Sequence, residues 1–483
     1  MKKIFLALIG LVAVGYLASP LVIGLIAREQ FPSVIEAANA GSQEWKAGTF
    51  NLGYRHSSAE STLTIPFSNH APVVVHLHHR ITQRLGADMS VMEVTTTPTF
   101  EGDIKEKAAA LFGENTPIVT HTIIYLDGHY TARMDAAAFA PTGVPGVEGL
   151  RVGFSGLHGT ETGTFKPQKA RTQMASPGFE VDSEKDGVHF KVRGLKFSGD
   201  LSADGRWMMF GKASGTADEI TITPKSLPPT QLSGLGVDAD IHHDGDTVGV
   251  GYNIHVDKFK SPGLKYKNLA VELAVDHIDE NTTKEMTKRF AAIGQRVPDP
   301  KQAAAMYGEV FSDVVPALLA HSPAITVKRV AFDLPTGHVK LRANAKFDGN
   351  GFTGPVTPAI VSRVLADANV DASKGAFHSI LTVFLRPKAI TYLKAQKPDI
   401  TQAQLLAASQ KVTEQLAGQT TQNLLDNHLM TETDEGYTSH VSYSHGAITV
   451  NGQALGAAPL PGAAHPSPQT GVTPAPTSTG DTQ

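Results

Sequence analysis

Cysteine is absent from all 483 residues, which excludes disulfide bonds, thiolate metal ligands and cysteine nucleophiles. A strong charge imbalance is also lacking, since 42 Lys and Arg residues face 46 Asp and Glu residues and the formal net charge is only −4. So weak a field does not favour nucleic acid or anionic lipid surfaces, and we expect no nucleic-acid partner. Stability must therefore come from apolar cores, which a hydrophobic content of 41% can supply.

Recognisable catalytic signatures are lacking as well. Ser155 in the segment GFSGL misses the G-x-S-x-G nucleophile elbow by one position. The segment 205–212 resembles a phosphate-binding loop, but it has one residue too many between its glycines, and Ala213 replaces the required hydroxyl. Asp238 and Asp240 share a strand face, where such a pair is usually solvated. We therefore predict no catalytic residue and no cofactor.

The longest apolar run of the chain stands near its N-terminus. From Ile4 to Ala27 there is no charged residue, and Lys2 and Lys3 precede the run. About 20 apolar residues suffice for a helix to span a bilayer, and no small-x-small cleavage site closes the run. We expect an uncleaved single transmembrane anchor over residues 1–28, with a cytoplasmic N-terminus and an exported remainder, as the positive-inside rule indicates.

Turn signals recur between alternating apolar segments after the anchor. Asp-Gly pairs are typical of two-residue hairpin turns, which need positive φ. They occur at 127–128, 186–187, 204–205 and 244–245. The clearest alternation, from Val248 to Val256, predicts a half-buried strand. Near Gly194 the apolar phase shifts by one residue, which a β-bulge at this glycine would absorb.

Helical spacing interrupts the strand pattern at several places. We predict helices over Gly102–Phe112, around Met286–Ile293, from Pro300 to Leu318, over Thr357–Ala368, and from Thr401, where Gln404 completes a capping box. The predicted fold class is α+β, with an N-terminal transmembrane helix followed by large curved antiparallel sheets and several packed helices.

Four regions follow from these patterns. We predict the anchor (1–28), a β-rich exported domain (29–278), a second α+β exported domain (279–456) and a disordered tail rich in Pro, Ala, Thr and Ser (457–483).

Histidines supply the candidate metal ligands. His76 and His78 share one face of a predicted strand, and His242 and His243 lie beside a predicted hairpin. Zinc sites need three or four placed ligands, and the sequence places only two with any geometry. The plainer interpretation is a polar sheet face and a solvated hairpin, so we predict no metal site.

Several segments resemble the YdgA-like family of uncharacterised bacterial inner-membrane proteins. They are the N-terminal anchor, YRHSSA at 54–59, FSGL at 154–157, VRGL at 192–195, the stretch from Ser322 to Gly349 and GAITVNG at 446–452. These are strand and turn patterns, so the resemblance implies an inner-membrane architecture and supplies no active site.

Three functions are compatible with this pattern. The leading hypothesis is a membrane-tethered periplasmic envelope protein, non-enzymatic, that binds an apolar ligand such as a lipid, or a partner protein, in a sheet-built groove. One alternative is a tethered envelope hydrolase or metal-dependent enzyme. The other is a structural scaffold that forms homo-oligomers through exposed strand edges.

Overall fold

The computed structural model describes residues 2–37, 44–67, 70–113, 116–165, 168–203, 209–225, 228–262, 264–296, 300–352, 358–397 and 399–457. The α-helices are α1 (Lys2–Ala37), α2 (Gly102–Phe112), α3 (Glu280–Arg296), α4 (Pro300–Ala320), α5 (Lys374–Gln396) and α6 (Gln402–Asp426). The strands before α3 are β1 (Glu44–Asn51), β2 (His56–Phe67), β3 (His70–Gln83), β4 (Ser90–Phe100), β5 (Ile118–Tyr125), β6 (His129–Ala136), β7 (Phe139–Gly143), β8 (Leu150–Phe154), β9 (Leu157–Phe165), β10 (Gln168–Ser183), β11 (Val188–Ser202), β12 (Phe210–Pro224), β13 (Thr230–Asp244), β14 (Thr247–Ser261) and β15 (Leu264–Asp279). Those after α4 are β16 (Ala324–Leu334), β17 (Gly337–Phe347), β18 (Val364–Ser373), β19 (Thr431–Glu432), β20 (Gly436–Ser444), β21 (Ala447–Val450) and β22 (Gln453–Ala457).

All 22 strands belong to one antiparallel sheet. Neighbours in sequence are mostly neighbours in space, with β6 paired to β9, β10 paired to both β8 and β9, and β18 paired to β20. The α+β class with a large antiparallel sheet is thereby confirmed. Hydrogen bonding between β15 and β16 runs across the predicted boundary at 278, and the division into two exported domains stays a prediction.

The predicted hairpin turns form where the Asp-Gly pairs stand. Gly128, Gly187 and Gly245 have φ of 83°, 61° and 61°, the left-handed conformation that glycine adopts without a Cβ clash. The pair at 204–205 lies outside the described residues. The strand predicted from Val248 to Val256 lies within β14, and its two end residues are buried.

The predicted bulge at Gly194 is wrong in its mechanism. Gly194 is left-handed, with φ of 65°, yet the β11–β12 register is the same on both sides of it, from Arg193↔Glu219 to Lys196↔Thr216. A bulge would add a residue to one strand only. Here β12 also shifts phase by one residue at the same place. The extra residue of β11 therefore lies opposite the extra residue of β12, and the pairing continues without a bulge.

A residue in the left-handed conformation recurs in later strands, along a line across the sheet. In β13, Gly234 (φ 64°) lies opposite Asp257 of β14, and in β15 Asn268 (φ 53°) donates a 2.7 Å hydrogen bond from Nδ2 to Asp333 Oδ2. We call Gly194, Gly234 and Asn268 the kink line. Adjacent strands shift phase at the same position. The apolar side chains therefore stay on the same face of the sheet before and after the kink line.

The N-terminal helix lies on the first strands of the sheet. Phe31 packs edge-on against Phe50 and His79, with ring centroids 5.8 and 5.6 Å apart. Gly24 lies against Gln83, and the Tyr54 hydroxyl donates to the carbonyl of Leu17. The part of α1 from Leu17 onward is therefore held by the protein.

Two helical hairpins complete the fold. In α3–α4, Ile293, Val310 and Val314 form a small core, as the predicted apolar spacing required. The α5–α6 hairpin packs on β17, β18 and β20 through α5, and Ala376 of α5 is fully buried. The predicted capping box is confirmed, since Thr401 and Gln404 bond each other's backbone amides.

One predicted helix is wrong and one helix was not predicted. Residues 357–368 were assigned helical spacing, but Pro358–Arg363 is a 3-10 turn and β18 follows it. In β18 the residues Ala366, Ala368 and Val370 alternate with polar ones, so the period is two. Helix α5, with Pro387 inside it, has no counterpart among the predictions. The tail beyond residue 457 lies outside the described residues.

Candidate functional site

The register places apolar side chains on one face of the sheet over almost its whole width. In the centre, Leu235, Val237, Ala239 and Ile241 of β13 directly face Val256, Ile254, Tyr252 and Val250 of β14. The latter in turn face Leu269, Val271, Leu273 and Val275 of β15. We call this side, which continues through Phe197 of β11 and Met174 of β10, the apolar face.

Helices cover the two ends of the apolar face but not its middle. At the N-terminal end α1 packs on it, and at the other end Phe377 of α5 meets Tyr437 of β20 with ring centroids 5.2 Å apart. Within the described part of the chain, no helix makes an extended contact with β10–β14. Phe197, Val237 and Tyr252 remain 37%, 36% and 44% exposed there. The middle of the face is thus an accessible apolar surface.

A cavity of about 490 Å³ opens in this uncovered region. It crosses the kink line, so apolar residues from both sides of the line share one wall. Its apolar lining includes Phe154, Leu157, Met174, Phe179, Val192, Leu195, Phe197, Ala217, Ile220, Leu235 and Val237. The volume lies in the range of roughly 300–1,000 Å³ that is typical of small-molecule sites.

A carboxylate lies among the apolar side chains of β6, β9 and β10. In β2–β18 the register places one Asp, Glu, Lys or Arg side chain on that face, namely Glu161 of β9. Glu161 Oε1 accepts a 2.7 Å hydrogen bond from the Tyr130 hydroxyl, and Oε2 accepts one of 2.9 Å from Thr172. Burial, and then the adjacent Glu161, raise the pKa of Tyr130 well above its ordinary value.

The opposite face of the sheet is polar and carries paired charges. His158 Nδ1 lies 2.5 Å from Asp135, His189 Nδ1 lies 2.5 Å from Asp182, and His242 Nε2 lies 3.8 Å from Asp276. Gly249 lies between the side chains of His242 and Asp276, and a Cβ at this position would contact both. These are exposed cross-strand pairs, which contribute little to stability.

The histidines named as candidate metal ligands, for which no metal site is predicted, do not come together. His76 and His78 point to the polar face of β3, where His78 lies 3.5 Å from Glu60 and 3.1 Å from Thr99. Between them and His242 of β13 lie β4, β5, β6 and β9–β12, which at about 4.8 Å per strand means roughly 38 Å. His243 is on the apolar face, beside the ring of Phe210. In the described ranges no group of three His, Cys, Asp or Glu side chains is arranged to hold a metal ion.

The other motif residues occupy structural positions. Asp238 and Asp240 share the polar face of β13, as predicted, and border a cavity of about 810 Å³ with basic residues of the adjacent strands. Ser155 links β8 to β9, and its amide donates to the Gly178 carbonyl at 2.9 Å. Most of the glycine-rich loop before Lys212 lies outside the described residues.

Glu161 was missed by sequence reasoning, although a signal for it exists. In the segment LHGTETGTF, Leu157 and Phe165 share the phase of Gly159, Glu161 and Gly163. Alternation thus puts Glu161 in the apolar phase, which is an anomaly for a charged residue. That its partners Tyr130 and Thr172 lie on the two flanking strands is visible only in the register.

The fold and its face define a class of protein: a continuous antiparallel sheet with one apolar and one polar side, whose apolar side is not covered by a described helix over β10–β14. By sequence, the chain belongs to the family described as Bacterial protein of unknown function (DUF945), which matches residues 1–457. No curated protein and no solved structure matches it.

Proposed function

We propose that this chain is a membrane-tethered envelope protein of the YdgA-like kind that binds the alkyl chain of an apolar ligand on its apolar face. It acts without catalysis. It is anchored once in the bacterial inner membrane by α1, with the N-terminus in the cytoplasm and the sheet in the periplasm.

The observation that carries this proposal is the open middle of the apolar face. Contiguous apolar surface exposed to water is costly, and its presence marks a place where a ligand or partner docks. The cavity lined by Leu195, Phe197 and Leu235 gives the surface a concave site rather than a flat patch. A concave, mainly apolar site of this volume suits an alkyl chain better than a protein surface.

Properties of α1 support the membrane tether and the source of the ligand. Leu21, Val22, Leu25 and Ile26 are 40–57% exposed on the side of the helix away from the sheet. The helical stretch before Leu17 rises only roughly 22 Å at 1.5 Å per residue, whereas a bilayer core is about 30 Å thick. If the helix spans the membrane, the first strands must lie against the membrane surface, so that lipid reaches the apolar face without crossing water.

A second apolar segment has a packing partner within the fold. Among the described residues, Gln302–Ala320 of α4 is long and apolar enough to span a bilayer by length and composition. Val310 and Val314 within it are buried against Ile293 of α3, so part of its apolar character serves that small core. We therefore assign the tether to α1 alone.

Two neighbouring residues give a direct test. A photo-reactive amino acid replaces Phe197, which lines the cavity, or Ser198, which points to the polar face, in the full chain expressed in bacterial cells. After irradiation we expect lipid adducts at position 197 and none at position 198, measured by mass spectrometry of the purified chain.

Other adducts identify the alternatives. A cross-linked second copy of the chain at position 197 supports the scaffold, and another protein supports a docking surface for a partner. Equal lipid labelling at both positions contradicts the proposal, because it would reflect nonspecific contact with the membrane.

A further inference from the structure

Glu161 occupies a position that is costly for a carboxylate. Its strand neighbours on the apolar face are Gly159 and Gly163, and the side chains of Met174 and Tyr130 lie over these two glycines. A charge among such groups loses hydration that must be replaced. In the part of the chain that the structure describes, no Lys, Arg or His forms an ion pair with Glu161.

The protein satisfies only part of the hydrogen-bonding capacity of this carboxylate. Tyr130 and Thr172 donate one hydrogen bond each, one to each oxygen. An ionised carboxylate offers about four lone-pair sites. Glu161 is half-buried, and its two protein donors leave about two of these sites for a further group.

The carboxylate adjoins the end of the apolar cavity. Thr172, its hydrogen-bond partner, and Met174, which lines the cavity, are consecutive residues on the same side of β10, roughly 7 Å apart along the strand. Leu157 of the cavity wall and Glu161 lie on the same side of β9, roughly 13 Å apart along the strand. An alkyl chain in the cavity can therefore place its polar end at Glu161.

We propose that Glu161 selects the head group of the ligand, and that the ligand is an amphiphile with a cationic ammonium head. This inference rests on the proposed function, because it assumes that the alkyl chain lies in the cavity. An ammonium group supplies up to three donors and the opposite charge, and charge-assisted hydrogen bonds are about twice as strong as neutral ones. Few, well-placed polar groups in an apolar site are what fixes the orientation of a ligand.

A structural role alone makes a different prediction. If Glu161 served only to accept bonds from Tyr130 and Thr172, removing its charge would change stability but not the preference for a head group. A neutral side chain of the same shape separates the two roles, and so does a reversed charge.

The test uses three photoactivatable amphiphiles with the same 12-carbon chain and an ammonium, alcohol or sulfate head. Each is added at subsaturating concentration to the full chain in a non-ionic detergent, and labelling of cavity peptides around Leu157 and Phe197 is quantified. Ratios between variants cancel the partition of each amphiphile into micelles. For the parent protein we expect ammonium labelling about tenfold above alcohol labelling.

Variants at positions 161 and 130 distinguish head-group selection from a purely structural role. Glu161→Gln should reduce ammonium labelling to the alcohol level and leave alcohol labelling within twofold, and Glu161→Lys should favour the sulfate. Tyr130→Phe keeps the charge and should keep the ammonium preference, which controls for disturbance of the local hydrogen bonds. Equal labelling by ammonium and alcohol in the parent, or an unchanged preference in Glu161→Gln, would overturn the inference while alcohol labelling of the cavity still supports the proposed function. If no amphiphile labels the cavity, the proposed function and the inference both fail.

Discussion

Acidification should destabilise the contact between α1 and the sheet through His79. This imidazole lies on the apolar face of β3 beneath Phe31, with Nε2 2.8 Å from the Ser61 hydroxyl and Nδ1 2.9 Å from that of Thr96. Burial, and then the neighbouring His78, lower the pKa of His79 from 6.5 to about 4. The folded protein therefore holds a neutral imidazole at pH 5, where an unfolded chain binds a proton.

The sign and size follow from proton linkage. Between pH 6.5 and 4 the unfolded state binds more protons than the folded state at this site, so stability falls as the pH falls through this window and is fully present above it. This pKa shift corresponds to on the order of 3 kcal/mol of unfolding free energy, and about 2 kcal/mol of that free energy is lost by pH 5. Since part of the ring reaches solvent, these figures are upper values.

Urea unfolding of the full chain at pH 7 and pH 5, compared with His79→Gln, measures this contribution. Glutamine keeps a hydrogen-bonding side chain but does not titrate, so the difference between the two proteins reports the titration at position 79. We expect the parent to lose up to about 2 kcal/mol more than the variant between the two pH values. Parallel losses would refute the assignment of a neutral, buried His79. A change of fluorescence from Trp45, which lies on the first strand, reports the same region.

Three further changes test the sheet and its helices. Gly234→Ala should cost about 2–3 kcal/mol, because alanine is strained at φ 64° and its Cβ would lie 2.1 Å from a facing carboxylate oxygen. The control Gly215→Ala, with open space around it, should leave the urea midpoint unchanged or slightly raised. Equal midpoints would contradict the kink line. Val256→Asp should cost several kcal/mol because Val256 is 3% exposed, while Val237→Asp, in the cavity wall and 36% exposed, should stay folded by circular dichroism and lose lipid labelling. Thr401→Ala should cost about 1 kcal/mol in thermal unfolding through loss of the capping box, and no loss would mean that this helix end frays in solution.

Local chemistry determined much of this fold from the sequence. A left-handed turn residue acts over a few residues, and so Gly128, Gly187 and Gly245 fall in hairpins as predicted. The capping box at Thr401 is equally local, and so is the strict alternation along β14. Such features need no knowledge of what packs against them.

The errors fall where local preference and tertiary context disagree. Residues 364–373 are rich in Ala, Asp and Asn, which are depleted in strands, yet β18 forms because β17 and β20 pair with it on both sides. Pro387 inside α5 reads as a helix breaker, and that helix is held by its contacts with the sheet and with α6.

The candidate site divides in the same way. Alternation along each strand determined that one side would be apolar, because side chains change face at every residue. Only the tertiary structure decided that the kinks of adjacent strands coincide, that the middle of the apolar face is left open, and that Glu161 is the one carboxylate that the register places on this face within β2–β18. Strand register joins residues far apart in sequence, and no local pattern in a single strand specifies which residues of the next strand will face it.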